Sequence, residues 1–194
     1  MPYGVRDRAG DLIREVEKAT LVFSRRLSYP PELVSNAMTE PSELSGWYIT
    51  KAQIDGRKGG TIDFITGASR MHVTGRILSW DPPWIFEHEW KVHRMPKLPS
   101  GEDAVIRWEL IPDGEETMLK LEHRKMNHQT AVGFAPGTHS FLDRLEAHLG
   151  NRPLPNWVDR CREVASLYPS SWVPGEQTSA NSFFISLLEQ APHP

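Results

Sequence analysis

From residue 61 to residue 126, hydrophobic and polar positions alternate with a period of two, the pattern of strands that bury one face. The alternation predicts strands over residues 61–66, 70–80, 84–93, 104–111 and 117–126. Two further strands are predicted over residues 20–27 and 48–54, and a weaker one over 11–16. Turn residues separate them: Asp55-Gly56, Gly59-Gly60, Gly67-Ala68, Asp81-Pro82-Pro83, and Pro112-Asp113-Gly114. Gly75, inside the 70–80 strand, marks a bulge or bend. The alternation also assigns faces. Leu119, Leu121 and His123 share one side, as do Ile106, Trp108 and Leu110, and as do Trp84, Phe86, His88 and Trp90. Met71, Val73, Gly75 and Ile77 are assigned to the same inner face. Glu87, Glu89, Lys91, Arg107, Glu109, Lys120, Glu122 and Arg124 fall on the other. Such one-sided sheets are antiparallel, and their apolar face needs a covering layer.

Helical spacing supplies that layer. Thr138, Phe141, Leu142, Leu145 and Leu149 recur on one face of a helix beginning near Gly137, with Ser140, Asp143, Arg144, Glu146 and Ala147 opposite. Gly150 suits a left-handed cap and Pro153 forbids continuation. Two short helices are predicted after the first main strand. Pro31 opens one and Pro41 the other, with Thr39 as the second helix's N-cap. The fold class is therefore α+β: a curved antiparallel sheet of about six or seven strands wrapped around a long C-terminal helix. Residues 1–10 read as an N-terminal arm, 11–150 as the domain, and 151–194 as a C-terminal extension. In the extension, Trp157, Val158, Cys161, Val164 and Leu167 form the apolar face of a docked helix over 157–168. Phe183-Phe184-Ile185-Ser186-Leu187-Leu188 is expected to dock on its own domain or on a second subunit, giving a possible homodimer.

Composition narrows the options. With 194 residues the chain can bury a core without staples, and its formal net charge of −3, without a run of like charge, points to neither a nucleic-acid nor a membrane partner. One cysteine, Cys161, leaves no internal disulfide and no zinc cluster. No apolar run reaches the ~18 residues of a membrane span, and residues 1–11 lack an apolar signal core. A soluble cytoplasmic protein is expected.

Several segments in succession sharpen the fold: Tyr29-Pro30-Pro31-Glu32-Leu33-Val34, Met38 through Trp47, Gly59-Gly60, Gly75-Arg76-Ile77, Asp81-Pro82-Pro83, Leu119 through His123, and Leu142 through Leu149. Their order resembles the helix-grip fold of the SRPBCC (START-like) superfamily. Within it they resemble the branch named after the C-terminal domain of the activator of the heat-shock protein 90 ATPase. The resemblance runs from about Asp11 to Tyr168 and implies no catalytic residues. The chain departs from the pattern at Thr138, where the family often has Trp, and at Val34-Ser35, where a Val-Trp pair is common. Both departures remove aromatic bulk and point to a larger cavity or a shifted mouth.

The function expected is binding of an apolar or aromatic small molecule between the sheet and the long helix. Val73, Phe86, His88, Trp90, Trp108, Leu121, His123, Phe141 and Leu145 are the candidate ligand-binding walls. His88 and His123 are the polar pair among aromatic residues, either as anchors or as backbone-bonded core histidines. An alternative is a cyclase-, dehydratase- or hydrolase-type enzyme using His88 or His123 as acid or base. A further alternative is a co-chaperone-like interaction module. No cofactor is expected, and no metal: His72, His93 and His128 are the candidate third ligands, and their spacing fits no metal motif. Glu87 and Glu89 read as a solvated pair, Cys161 as packing, and Gly59-Gly60 as a hairpin turn rather than a phosphate loop.

Overall fold

The structure is a computed structural model and describes residues 8–67 and 69–168. Eight strands form one antiparallel sheet: β1 (Asp11–Arg14), β2 (Ala19–Leu27), β3 (Ile49–Ile54), β4 (Thr61–Thr66), β5 (His72–Asp81), β6 (Ile85–Val92), β7 (Glu102–Asp113) and β8 (Glu116–Met126). Their order is β1-β2-β8-β7-β6-β5-β4-β3, so the eighth strand beyond the expected six or seven is the short edge strand β1. Helices α1 (Pro31–Thr39) and α2 (Pro41–Trp47) bridge the sheet's two ends, α3 (His128–Leu149) crosses its inner face, and α4 (Trp157–Val164) packs on α3. The apolar segment 183–188 and the N-terminal arm up to residue 7 lie outside the described residues.

Proline at N1 opens both short helices, as the sequence predicts. Thr39, however, closes α1 instead of capping α2: its hydroxyl donates to the Ser35 carbonyl, and Glu40 takes the cap position. The Trp47 indole N–H donates to the Ala37 carbonyl at 2.9 Å and fixes the two helices together. Gly75 allows a close approach, since a Cβ there would lie 2.1 Å from the Glu89 carbonyl oxygen.

The inner face carries the alternating set: Leu21, Phe23 and Leu27 on β2, Leu119 and Leu121 on β8, Ile106 and Trp108 on β7, Phe86 and Trp90 on β6, Val73 and Ile77 on β5. Trp84 departs from this assignment. It belongs to the Asp81–Trp84 turn that precedes β6, its N–H bonds back to the Asp81 carbonyl, and it is 38% exposed. The alternation holds within a strand but not through the turn that starts it. Arg25 adds an inward charge, 3% exposed, over the Phe23 ring. Desolvation lowers its guanidinium to about 10. On the outer face, Glu87 pairs with both Arg107 and Arg124, and Lys120 pairs with Glu122.

The long helix starts nine residues before Gly137, at His128. Pro136 lies inside it, at the cost of one helical hydrogen bond. That loss is offset by burial of Ala131, Phe134 and Ala135 against the sheet. The side assigned as polar is also partly buried: Ser140 and Ala147 are covered, as is His139, and Cys161 and Trp157 of α4 reach the Pro136 and Gly137 carbonyls. Gly150 has φ −84, so Asn151 (φ 47) holds the left-handed position in its place. Gly150 serves proximity instead; a Cβ would sit 2.7 Å from the Tyr29 hydroxyl. No helix among the described residues is long and apolar enough to cross a membrane.

Candidate functional site

Between α3 and the inner sheet face lies an apolar cavity of about 50 Å³. The sheet contributes Trp90, Ile106, Trp108, Leu121 and His123, and the segment leading into β5 adds Ser69 and Met71. Helix α3 contributes Gly133, Phe134, Gly137, Thr138, Phe141 and Leu142. Trp47, Tyr48 and Trp157 complete the wall. Small residues on α3 make the space: Gly133, Gly137 and Thr138 occupy positions where larger side chains would fill it. An engineered apolar cavity of about 150 Å³ takes up benzene. The cavity here is about a third of that, so a guest of ring size must displace part of the wall.

Of the nine candidate wall residues, Trp90, Trp108, Leu121, His123 and Phe141 border the cavity. Val73, Phe86, His88 and Leu145 do not; they are buried in the surrounding core. The two histidines therefore separate. His88 is 1% exposed, and its Nδ1–H donates to the Glu89 carbonyl at 2.9 Å, making it a core histidine held by backbone. His123 is 2% exposed, and its Nε2 has no hydrogen-bond partner among the described residues. The Trp90 indole Nε1 is also buried without a partner among them. The two rings meet edge to face, with centroids 6.0 Å apart. Two unmatched polar atoms thus sit in the wall of one apolar cavity, where an unpaired polar group costs about 1–3 kcal/mol.

Burial sets the charge of both histidines. Desolvation lowers His88 to about 4. Desolvation, with the neighbouring His88, lowers His123 to about 3. Near neutral pH both rings are uncharged.

The cavity's mouth is aromatic. Phe141 meets Tyr48 edge-on at 4.4 Å and Trp157 at 5.2 Å between ring centroids. Tyr48 in turn stacks on Trp47 and lies parallel to Trp90. Four rings, Trp47, Tyr48, Phe141 and Trp157, line both this cavity and an outer groove of about 390 Å³. They therefore act as a partition between the two spaces. The groove's rim includes Ser45, Thr50, Arg70, Arg144 and Asn156.

Sequence reading did not assign Phe134, Gly133, Tyr48 or Trp157 to this wall. The signal for Phe134 was present, since Ala131, Phe134, Thr138, Phe141 and Leu145 keep three- and four-residue spacing straight through Pro136. Trp157 reads only as one apolar residue of an added helix. Its contact with Phe141 follows from how α4 docks. Among the described residues, no three His, Cys, Asp or Glu side chains gather where they could hold a metal ion. Cys161 is buried, and desolvation raises its thiol to about 12, consistent with a packing role.

A single curved antiparallel sheet gripping one long helix defines a helix-grip protein, and the apolar space between them is that fold's internal cavity. Residues 28–150 match the family described as Activator of Hsp90 ATPase homolog 1-like protein, and the chain belongs to it. Among solved structures it is similar to CalU16 from Micromonospora echinospora, with 24% identity, coverage of 84% of this chain and 94% of that one, and a TM-score of 0.64. It is also similar to protein MLL2253 from Mesorhizobium loti, with 22% identity, 70% and 99% coverage, and a TM-score of 0.60. The protein encoded by gene BPP1335 of Bordetella parapertussis is 15% identical, with 91% and 97% coverage and a TM-score of 0.67. These likenesses show the fold. No curated protein matches the chain.

Proposed function

We propose that the protein binds a small apolar or aromatic molecule carrying at least one hydrogen-bonding group, held between the sheet and α3. The supporting observation is the pair of buried, unmatched polar atoms, Trp90 Nε1 and His123 Nε2, in an otherwise apolar wall. A guest oxygen accepting from Trp90 would remove the cost of that unpaired donor. His123 would donate to the guest or accept from it, according to its tautomer. The aromatic surroundings favour a flat or unsaturated body. Because the space is small, a ring-sized guest must displace part of its wall, which includes Phe141 packed on Tyr48 and Trp157. The cyclase, dehydratase or hydrolase alternative needs a histidine that exchanges protons. His88 is committed to a backbone carbonyl, and burial keeps both histidines neutral, so the arrangement favours binding over acid catalysis.

A melting screen over lipids, polyketides and small aromatics tests this. Saturation at a hundred times Kd stabilises by about 2.7 kcal/mol, a rise of roughly 5–10 °C for a domain of this size. Thr138→Trp, which restores the bulk common in the family, should fill the mouth. It should abolish the ligand shift while leaving the unliganded melting temperature at or above its original value. A screen with no positive compound, or a Thr138→Trp protein that still responds, would count against the proposal.

A further inference from the structure

The outer groove is electrostatically one-sided. Among the described residues it is lined by two arginines, Arg70 and Arg144, and by no carboxylate. This is unusual in a chain with 25 acidic residues and a net charge of −3. Many of the other arginines are neutralised: Arg57, Arg76, Arg107, Arg124, Arg152, Arg160 and Arg162 each have a carboxylate partner. Arg144 has none among the described residues. Its Nε donates to the Trp47 carbonyl at 2.8 Å and its Nη1 to the Pro155 carbonyl at 2.6 Å. Those bonds hold the guanidinium rigidly at the groove and leave further N–H donors for a ligand. Partial burial lowers its pKa, but a guanidinium remains charged at neutral pH.

Arg70 reaches the same groove from the loop between β4 and β5. Its side chain is exposed, with no ion pair among the described residues. Its backbone has φ 50, a left-handed conformation costly for a residue with a Cβ. The hydroxyl-bearing Ser45 and Thr50 also line the groove. The groove and the apolar cavity share Trp47, Tyr48, Phe141 and Trp157 as a common wall. An anion held here would lie directly over the cavity's entrance.

We infer that the groove is the anion subsite of the same binding site, and that the protein's ligand is an amphipathic carboxylate whose apolar or aromatic body enters the cavity while its carboxylate rests on Arg144 and Arg70. This inference rests on the proposed cavity binding and adds the chemical class of the ligand. Arg144, fixed by two backbone carbonyls, supplies a preorganised charge-assisted contact. Arg70, exposed and without an ion pair among the described residues, supplies the second contact. Without a ligand, Arg144 clamps the end of α2 and the segment before α4. The test must therefore separate recognition from clamping.

Matched probes do so. 2-Naphthoate and 2-naphthamide have nearly the same shape and differ in charge. Their affinities for the full chain can be read from tryptophan fluorescence quenching at neutral pH. The carboxylate should bind at least about tenfold more tightly than the amide. Raising salt from about 0.02 to 0.5 M should weaken the carboxylate alone. Arg70→Gln should cut the carboxylate preference by about fivefold, and Arg144→Gln should remove it. If Arg144→Gln melts early because the clamp is lost, Arg70→Gln and the salt series still decide the matter. Equal binding of the two probes, or a preference unmoved by both Arg70→Gln and salt, overturns the anion subsite and leaves the cavity proposal standing. Failure of both probes to bind overturns the two together.

Discussion

At the scale of single residues, His88 and His123 are the groups whose burial has the clearest consequence. Both have folded pKa values, about 4 and about 3, below the unperturbed 6.5, because desolvation disfavours the charged ring. The unfolded chain therefore binds more protons between those limits. Stability contributed by the neutral rings is complete above pH 6.5 and is lost as pH falls through about 4. For His88 this is on the order of 3 kcal/mol. Urea midpoints measured from pH 7 to 4 should fall steeply, and His123→Phe should flatten part of that slope. A slope unchanged in His123→Phe would contradict the assigned burial effect. Asp143 acts in a lower window. Desolvation works against its charge, yet His139, Arg160 and Arg8 hold its carboxyl at about 2, so its share is lost only as pH falls from 3.8 toward 2. Alternation in the sequence was enough to place His123, Trp90, Trp108 and Leu121 on the inner face, because a period of two leaves no other option within a strand. It could not distinguish His88 from His123, since both point inward and only the Glu89 carbonyl separates their roles. Nor did it show Arg25, whose inward position places a charge where the pattern calls for an apolar residue.

At the scale of elements, α4 is the part whose role is least visible in the chain and most consequential for the site. It is bound to α3 at several points. Trp157 donates to the Gly137 carbonyl at 3.2 Å, Arg160 pairs with Asp143 at 2.8 Å, and Arg144 holds the Pro155 carbonyl. Beyond α4, Tyr168 is buried, and its hydroxyl shares a 2.7 Å hydrogen bond with His139 Nδ1 and accepts from the Gly10 N–H. The chain after Gly150 is thus integral to the domain through Tyr168. Trp157→Ala should cost about 3 kcal/mol, as large-to-small changes of buried aromatics do. It should also speed ligand entry, because Trp157 is one leaf of the aromatic partition. Stopped-flow fluorescence with a bound aromatic probe would show a faster association rate. An unchanged rate with normal stability would mean that α4 neither supports the domain nor guards the cavity. The start of α3 is not marked by local propensity, because Gly133, Pro136 and Gly137 are poor helix formers. Tertiary burial of Ala131, Phe134 and Ala135 overrides that local signal.

At the scale of the whole molecule, the fold was largely legible. Strand periodicity, the two proline-opened helices and the amphipathic stretch before Gly150 leave few ways to cover an eight-stranded one-sided sheet. The ordered family motifs agree with that reading. What the sequence could not convey is the amount of space left inside. That depends on how Gly133, Gly137 and Thr138 face Trp90, Trp108 and Phe141, a matter of side-chain volumes meeting across elements distant in the chain. The groove was hidden for the same reason, since Arg70 and Arg144 lie on separate elements and converge only in the folded chain.

The seven tryptophans allow a direct test of whether a guest occupies the space beside Trp90 and His123. Each indole N–H gives its own proton–nitrogen resonance, assignable by single Trp→Phe changes. Titration with 2-naphthamide should shift the Trp90 resonance saturably as an aromatic guest enters the space beside it, while the resonance of Trp84, exposed on the outer turn, stays in place. A titration that moves Trp84 and leaves Trp90 unchanged, or that moves neither, would contradict binding in the cavity.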